Sequence, residues 1–163
     1  MITIKEGDLF SAPRGIICHQ VNCMGVMGRG VAKTFKEKFP QAFKEYEHLC
    51  SVYKCYHDSY RLLGTILVTE NVHELRTTCC MFAQLNWRGH TNVCNTEYAA
   101  FRECCKRIAA WMDGSYSKDY PINVPYKIGC GLAGGDWDIV YSILEEELHD
   151  YNVILWKLEK ENK

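Results

Sequence analysis

Three polar residues end an otherwise apolar run, and three glycines follow them. The run is GIICHQVN, in which His19, Gln20 and Asn22 are polar, and the glycines belong to GVMGRG, residues 25–30. An imidazole can accept or donate a proton close to neutral pH. Glycine permits positive φ angles and lets a ligand approach main-chain N–H groups closely. The pattern therefore predicts an anion bound against the main chain.

A second glycine-rich segment, GCGLAGGD, covers residues 129–136. Both segments follow a predicted strand and precede a predicted helix, whose amino end carries unpaired N–H groups and a partial positive charge. Both therefore fit a site for phosphate groups, such as a diphosphate held from two sides. GVMGRG reads G-x-x-G-x-G, the reverse of the dinucleotide fingerprint, and no loop carries G-x-x-x-x-G-K-[ST]. The alternative is that the glycines only serve tight turns.

The elements that would position these segments alternate between strands and helices. Hydrophobic periodicity predicts strands over residues 2–5, 15–21, 63–70, 77–85, 121–128 and 151–158, and helices over 29–39, 40–56, 95–112 and 137–150. Asn95 or Thr96 is expected to cap the third helix. The order predicts one α/β layered domain, residues 1–163, with helices on both faces of a mixed sheet. Ligands of such sheets bind at the carboxyl ends of the strands, where both glycine-rich segments would lie.

Composition excludes several classes of protein. The apolar fraction is 47%, the charged fraction is 24% and the formal net charge is −1, which argues against a strongly basic nucleic-acid-binding protein. The start, MITIKEGDLF, has no basic region followed by an apolar one, so no signal peptide is predicted. Apolar runs are too short to span a bilayer. We expect no membrane association and a cytoplasmic location.

Ten cysteines are present, and none forms a Cys-x-x-Cys pair. Cys79-Cys80 and Cys104-Cys105 lie in apolar segments and fit small buried side chains. His19 with Cys23, and His90 with Cys94, have spacings that could supply metal ligands. We favour reduced structural thiols and expect neither a metal nor a cofactor. Residues 46–62 are rich in Tyr, His and Cys, and no function follows from them.

Taken together, the two segments resemble those of the macro domain family, a module that binds ADP-ribose. The similar stretches are GDLF, HQVNCMGVMGRGVA, KFPQAFKEY and PYKIGCGLAGGDW, and the resemblance covers essentially the whole chain. It implies a three-layer α/β/α fold with a mixed central sheet of about six strands. The most similar branch contains the yeast-type ADP-ribose-1″-phosphate phosphatases and the terminal ADP-ribose glycohydrolases.

The resemblance also implies roles for individual residues. Asp8 would contact the adenine amino group, with a helix cap or a solvated turn as the alternative. Asn22 would contact the distal ribose. Backbone N–H groups would enclose the diphosphate from two sides, supplied by Gly28, Arg29, Gly30 and Val31 and by Gly129, Cys130, Gly131, Leu132, Ala133 and Gly134.

Two departures from the family pattern bear on catalysis. The glycohydrolase branch uses a lysine nucleophile in a segment that reads AQLNWRGHTN here and contains no lysine. The acidic residue that follows G-C-G-L in that branch is replaced by Ala133. A covalent lysine–ribose mechanism is therefore not expected. The phosphatase branch instead resembles this chain at His19, which would act as general acid or base, with Asp136 orienting it or a water. The alternatives are a hydrogen-bonded strand histidine for His19 and a helix N-cap for Asp136. His90 could also approach the distal ribose.

These considerations lead to one main hypothesis and two alternatives. The chain would bind ADP-ribose or ADP-ribose-1″-phosphate and hydrolyse the latter to ADP-ribose and phosphate without a cofactor. It could instead be a non-catalytic ADP-ribose reader. It could also be a hydrolase that removes ADP-ribose from a modified macromolecule without a lysine nucleophile. Nucleic acid is expected as a partner only when it is itself ADP-ribosylated.

Overall fold

The structure, a computed structural model, describes residues 1–71, 74–87 and 93–159. Within them the chain forms β1 (Ile2–Glu6), β2 (Gly15–Asn22), α1 (Gly30–Lys38), α2 (Pro40–Cys55), β3 (Ile66–Glu70), β4 (Arg76–Gln84), α3 (Tyr98–Ser115), β5 (Ile122–Pro125), α4 (Trp137–Leu148) and β6 (Val153–Lys157). Short 3₁₀ helices cover Leu9–Ser11 and Ser59–Leu62. The predicted order of strands and helices is confirmed.

The strands form one mixed sheet in the order β1-β6-β5-β2-β4-β3. The pairs β1–β6, β6–β5, β5–β2 and β2–β4 are parallel, and the edge strand β3 runs antiparallel to β4. The carboxyl ends of the five parallel strands therefore meet at one edge of the sheet. This arrangement confirms the predicted mixed sheet of about six strands.

Each face of the sheet is covered by a pair of helices. In β2, Ile16 and Cys18 join the core that contains the buried side chains of α3 and α4. Ile17 and Val21 join a second core with Phe35 of α1 and Tyr46 of α2. Successive strand residues point to opposite faces, so a strand buried on both sides reads as one continuous apolar run. The result is the three-layer α/β/α fold.

Several predicted boundaries differ from the structure by a few residues, and two of these differences have local physical reasons. Helix α3 begins at Tyr98 after the N-cap residue Glu97, and neither Asn95 nor Thr96 caps it. Thr96 instead forms an isolated bridge with Gln84 of β4. Strand β5 ends at Pro125 because the chain turns there, with the N–H of Ile128 bonded to the carbonyl of Pro125 at 3.0 Å.

All ten cysteines lie in described residues and none forms a disulfide. Seven are buried, Cys130 is half-buried, and Cys55 and Cys94 are exposed. None of the described helices combines the length and apolar character needed to cross a membrane.

Candidate functional site

The site lies where the chain leaves two neighbouring parallel strands in opposite directions. Residues 23–29, here called loop 1, lead from β2 to α1, and residues 126–136, here called loop 2, lead from β5 to α4. Strands β2 and β5 pair directly, with Ile16 opposite Ile122. Helices α1 and α4 cover different faces of the sheet. Such a divergence opens a crevice at the carboxyl edge, which is where α/β folds bind ligands.

The end of loop 1 and the first turn of α1 present main-chain donors to open space. Among the described residues, no partner accepts from the N–H groups of Gly28, Arg29, Gly30 and Val31. A Cβ atom placed on Gly28 or Gly30 would meet no described atom within 4 Å, and Gly30 has a φ of +57°. The amino end of α1 has no side-chain cap and no acidic residue in its first turn. These donors and the helix dipole can therefore act on an anion.

Loop 2 supplies a second set of donors, which differs in part from the set that was predicted. The N–H groups of Gly129, Gly131, Leu132 and Ala133 have no partner within the described part of the chain. The N–H of Cys130 instead bonds to the carbonyl of Lys127, and that of Gly134 to the carbonyl of Gly131, each at 3.0 Å. Cys130 and Gly134 therefore shape loop 2, and their N–H groups are not free to bind a ligand.

A network of polar side chains from β2, β4 and the segment before α3 forms hydrogen bonds to loop 2. Thr96 Oγ1 donates to the carbonyl of Gly129 at 2.6 Å, and Gln20 Nε2 donates to Thr96 Oγ1 at 2.9 Å and to Gln84 Oε1 at 3.0 Å. Gln20 Oε1 is buried and has no partner among the described residues. A Cβ on Gly129 would lie 2.5 Å from it. The sequence marked Gln20 as a polar strand end, but it indicated Thr96 only as a candidate helix cap and not as a partner of loop 2.

Asn22 is buried, and most of its side-chain amide is bonded within loop 1. Its Oδ1 accepts from the N–H groups of Met24 at 3.0 Å and Val26 at 3.4 Å and from the Tyr46 hydroxyl at 2.9 Å. Its Nδ2 donates to the carbonyl of Val26 at 2.7 Å. One N–H of Asn22 remains for a ligand, so the predicted ribose contact stays a prediction.

His19 does not face the crevice in this structure. Its ring is 1% exposed and stacks on Phe35 of α1 with centroids 4.0 Å apart, and Nε2 lies 3.5 Å from Cys80 Sγ. Burial lowers the pKa of His19 from 6.5 to about 3. An enclosed imidazole with this pKa cannot reach a ligand and does not take up a second proton at neutral pH. Both observations argue against the proton-transfer role predicted for it.

Both candidate aspartates act as caps. Asp136 Oδ1 accepts from the N–H of Asp138 at 2.9 Å at the start of α4. Asp8 Oδ1 accepts from the N–H of Phe10 at 3.0 Å at the start of a 3₁₀ helix. Each side chain is exposed, and its other carboxylate oxygen has no hydrogen-bond partner in the described residues. The capping alternatives are thus what the structure shows, and one oxygen of each remains free.

Within the described residues, no three His, Cys, Asp or Glu side chains lie close enough to hold a metal ion. His90, for which metal and ribose contacts were considered, lies outside the described residues.

Comparison with known proteins assigns the chain to a family. The Macro domain family matches residues 18–144, and the chain belongs to that family. An ADP-ribose 1″-phosphate phosphatase from Lodderomyces elongisporus is 27% identical over 164 residues, covering 93% of this chain and 98% of that protein. One from Neosartorya fischeri is 52% identical over 50 residues, and that match covers 30% of this chain but only 25% of the relative.

A solved structure shows the same fold. Thermosipho africanus DarTG in complex with ADP-ribose aligns with a TM-score of 0.76 at 20% identity, over 99% of this chain and 42% of that one.

Proposed function

We propose that residues 1–163 form one macro domain that binds ADP-ribose-type nucleotides and hydrolyses ADP-ribose-1″-phosphate to ADP-ribose and phosphate. The observation that carries the binding proposal is two sets of unpaired N–H groups that follow the neighbouring strands β2 and β5. Residues 28–31 supply one set from the end of loop 1 and the start of α1, and residues 131–133 supply the other from loop 2. Two rows of main-chain donors suit the oxygens of a diphosphate. The exposed guanidinium of Arg29 makes no ion pair among the described residues and adds positive charge there.

The hydrolysis proposal is supported by relatives named ADP-ribose 1″-phosphate phosphatase, one of which aligns along nearly its full length. In the reaction, water attacks the terminal phosphorus, the P–O bond to the C1″ oxygen breaks, and the leaving C1″ oxygen takes up a proton from solvent to give ADP-ribose. The loop N–H groups would stabilise the negative charge that develops on the phosphate. Because His19 is enclosed, we assign proton acceptance from the water to the free carboxylate oxygen of Asp136.

A non-catalytic ADP-ribose reader is the second candidate. It is favoured by the positions of the two predicted catalytic side chains, since His19 is buried and Asp136 already caps α4. Removal of ADP-ribose from a modified macromolecule is the third, and the free Asp136 oxygen could serve it too. A cytoplasmic location is part of the proposal, because ten free cysteines favour a reducing compartment.

The test combines binding with phosphate release. ADP-ribose binding is measured by calorimetry for the wild type, Asp136→Asn and Asp136→Ala, and phosphate release from ADP-ribose-1″-phosphate is followed for the same proteins. Asparagine is a good N-cap without charge, so Asp136→Asn should keep the fold and the affinity while slowing release roughly 10²-fold or more. Asp136→Ala also loses the cap and should be less stable by about 1 kcal/mol.

Each other outcome selects a different function. Binding without phosphate release identifies a reader. Loss of ADP-ribose from a modified protein or nucleic acid, without phosphate release, identifies the third candidate. Equal release by the wild type and Asp136→Asn would remove Asp136 from the mechanism. Absence of ADP-ribose binding would overturn the nucleotide assignment as a whole.

A further inference from the structure

Tyr46 is the one large polar side chain of α2 that is completely buried among the described residues of that helix. Its relative exposure is 0%. Its hydroxyl lies 2.9 Å from both the main-chain oxygen and Oδ1 of Asn22, so its single hydrogen is shared between them. The ring packs beside Phe82 and Phe43, with centroids 5.8 Å and 6.3 Å away. Apolar contacts therefore hold the ring, and the hydroxyl is left to act on Asn22.

Asn22 transmits this contact to the backbone of loop 1. Its side chain bonds to the N–H groups of Met24 and Val26 and to the carbonyl of Val26. An asparagine amide has distinct donor and acceptor ends, so a donor at Oδ1 fixes which way the amide points. Only with Oδ1 toward the two N–H groups and Nδ2 toward the carbonyl do all these bonds form. The hydroxyl of Tyr46 thus supports the orientation on which the turn depends.

Close packing of loop 1 on α2 points the same way. Gly25 has a φ of +80°, and a Cβ there would lie 3.3 Å from Cys50 Cβ and 4.0 Å from the backbone of Glu47. On α2, Glu47 directly follows Tyr46, and Cys50 lies one helical turn beyond Tyr46. Loop 1 therefore packs against α2 at Gly25, and Asn22 links it to α2 by a hydrogen bond. Both contacts lie just before Gly28, where the free N–H groups begin.

We infer that Tyr46 is a positioning residue, which holds loop 1 in its anion-binding shape through Asn22 without touching the ligand. This inference rests on the proposed binding of ADP-ribose at loop 1. It also gives a role to one member of the Tyr-, His- and Cys-rich segment at residues 46–62 that the sequence left without one.

The test removes one oxygen atom in each of two matched variants. Tyr46→Phe loses the hydroxyl beneath loop 1. Tyr151→Phe loses an equally bonded hydroxyl, which lies 2.8 Å from Asp113 Oδ1 and 3.1 Å from the carbonyl of Ala109, just before β6 and away from both loops. Tyr151 is also buried, at 5% exposure. Calorimetry with ADP-ribose, thermal unfolding and the amide NMR signals of loop 1 are recorded for both variants and the wild type.

Tyr46→Phe should weaken ADP-ribose binding roughly five- to tenfold, the usual consequence of one lost hydrogen bond. Tyr151→Phe should bind like the wild type even if its unfolding temperature falls as far. Without ligand, the amide signals of Met24 to Val26 should shift or broaden only in Tyr46→Phe. A general loss of stability would not produce that local pattern.

The inference is overturned if Tyr46→Phe binds like the wild type, or if both variants lose affinity equally. It is also overturned if the loop 1 amide signals of Tyr46→Phe match those of the wild type. Because the amide signals are recorded without ligand, they test whether Tyr46 positions loop 1 even if the wild type binds no ADP-ribose. That last result would instead refute the proposed function.

Discussion

His19 illustrates how the alternation of a strand decides the fate of one side chain. In β2, His19 shares its face of the sheet with Ile17 and Val21, and this face packs against α1 and α2. The polar types at the end of the run were readable from the sequence. The sequence does not indicate which face of the sheet each side chain occupies. Both faces of a central strand are buried, so its residues do not alternate between apolar and polar. Gln20, one position on, points to the other face and joins the network under loop 2.

Burial of His19 predicts a loss of stability in acid. Its pKa is about 3 in the folded protein and 6.5 when exposed, so the unfolded chain binds more protons between these values. The free energy of unfolding should therefore fall as pH drops below 6.5, by up to about 1.4 kcal/mol for each pH unit from this group. Urea denaturation at several pH values measures the slope.

His19→Leu should show a shallower slope over the same pH interval. His48 lies exposed on α2, and His48→Gln serves as its control, with the wild-type slope retained. An unchanged slope in His19→Leu would contradict the neutral, buried state of His19.

Individual glycines within loops 1 and 2 serve different purposes. Gly129 has a φ of +72° and no room for a Cβ beside Gln20 Oε1, so it is required by the fold. Gly28 has neither restriction, and the space above it is open. A glycine that the backbone does not require and that faces a crevice fits a role in admitting a ligand to the main chain.

Gly28→Ala is therefore expected to leave the free energy of unfolding unchanged or raise it slightly, because alanine restricts the unfolded chain. The added methyl group should weaken ADP-ribose binding by about tenfold or more, since it occupies the space over the free N–H groups. Calorimetry and urea denaturation measure the two effects.

Gly114→Ala is the matched control, because Gly114 lies in α3 with open space around its Cβ position. It should stabilise the protein by about 0.5–1 kcal/mol without altering affinity. Full ADP-ribose affinity in Gly28→Ala would place the ligand elsewhere.

The order of the elements was predictable, because periodicity and punctuation by glycine and proline are local properties of the chain. The two loops at one edge followed from that order. Contacts between distant segments were not predictable. Thr96 was read as a helix cap but reaches across to Gly129, and Tyr46 was unassigned but reaches Asn22. The sequence does not indicate whether a side-chain hydroxyl forms its hydrogen bond with a neighbour in the chain or with a distant residue.

At the scale of the whole molecule, the cysteines act as small core side chains. Cys18 and Cys79 stand opposite each other on β2 and β4, and Cys104 and Cys105 fill the α3 side of the same core. Burial raises the pKa of Cys23 to about 12, which suppresses its thiolate. These thiols belong to the packing between the sheet and its helices.

Alkylation of the native protein should therefore distinguish two groups of cysteines. Cys55 and Cys94 are exposed and should react quickly near neutral pH, whereas the seven buried cysteines should react only after unfolding. Mass spectrometry of peptides after timed iodoacetamide treatment shows which cysteines are alkylated quickly and which are alkylated only after unfolding. Cys55→Ser should lower the fast count by one. Equally rapid labelling of Cys79 or Cys105 would contradict the close packing of the core.

The pairing of β2 with β5 joins parts of the chain that are made far apart in time. A ribosome that has released loop 1 must still synthesise β3, β4 and α3 before β5 and loop 2 emerge. Until then only the N–H groups after β2 exist, and the nucleotide lacks the second set of donors that would enclose its diphosphate. Capture of the nucleotide would consequently report that loop 2 has been made and that β5 has paired with β2, and no nascent chain that ends before loop 2 should achieve it.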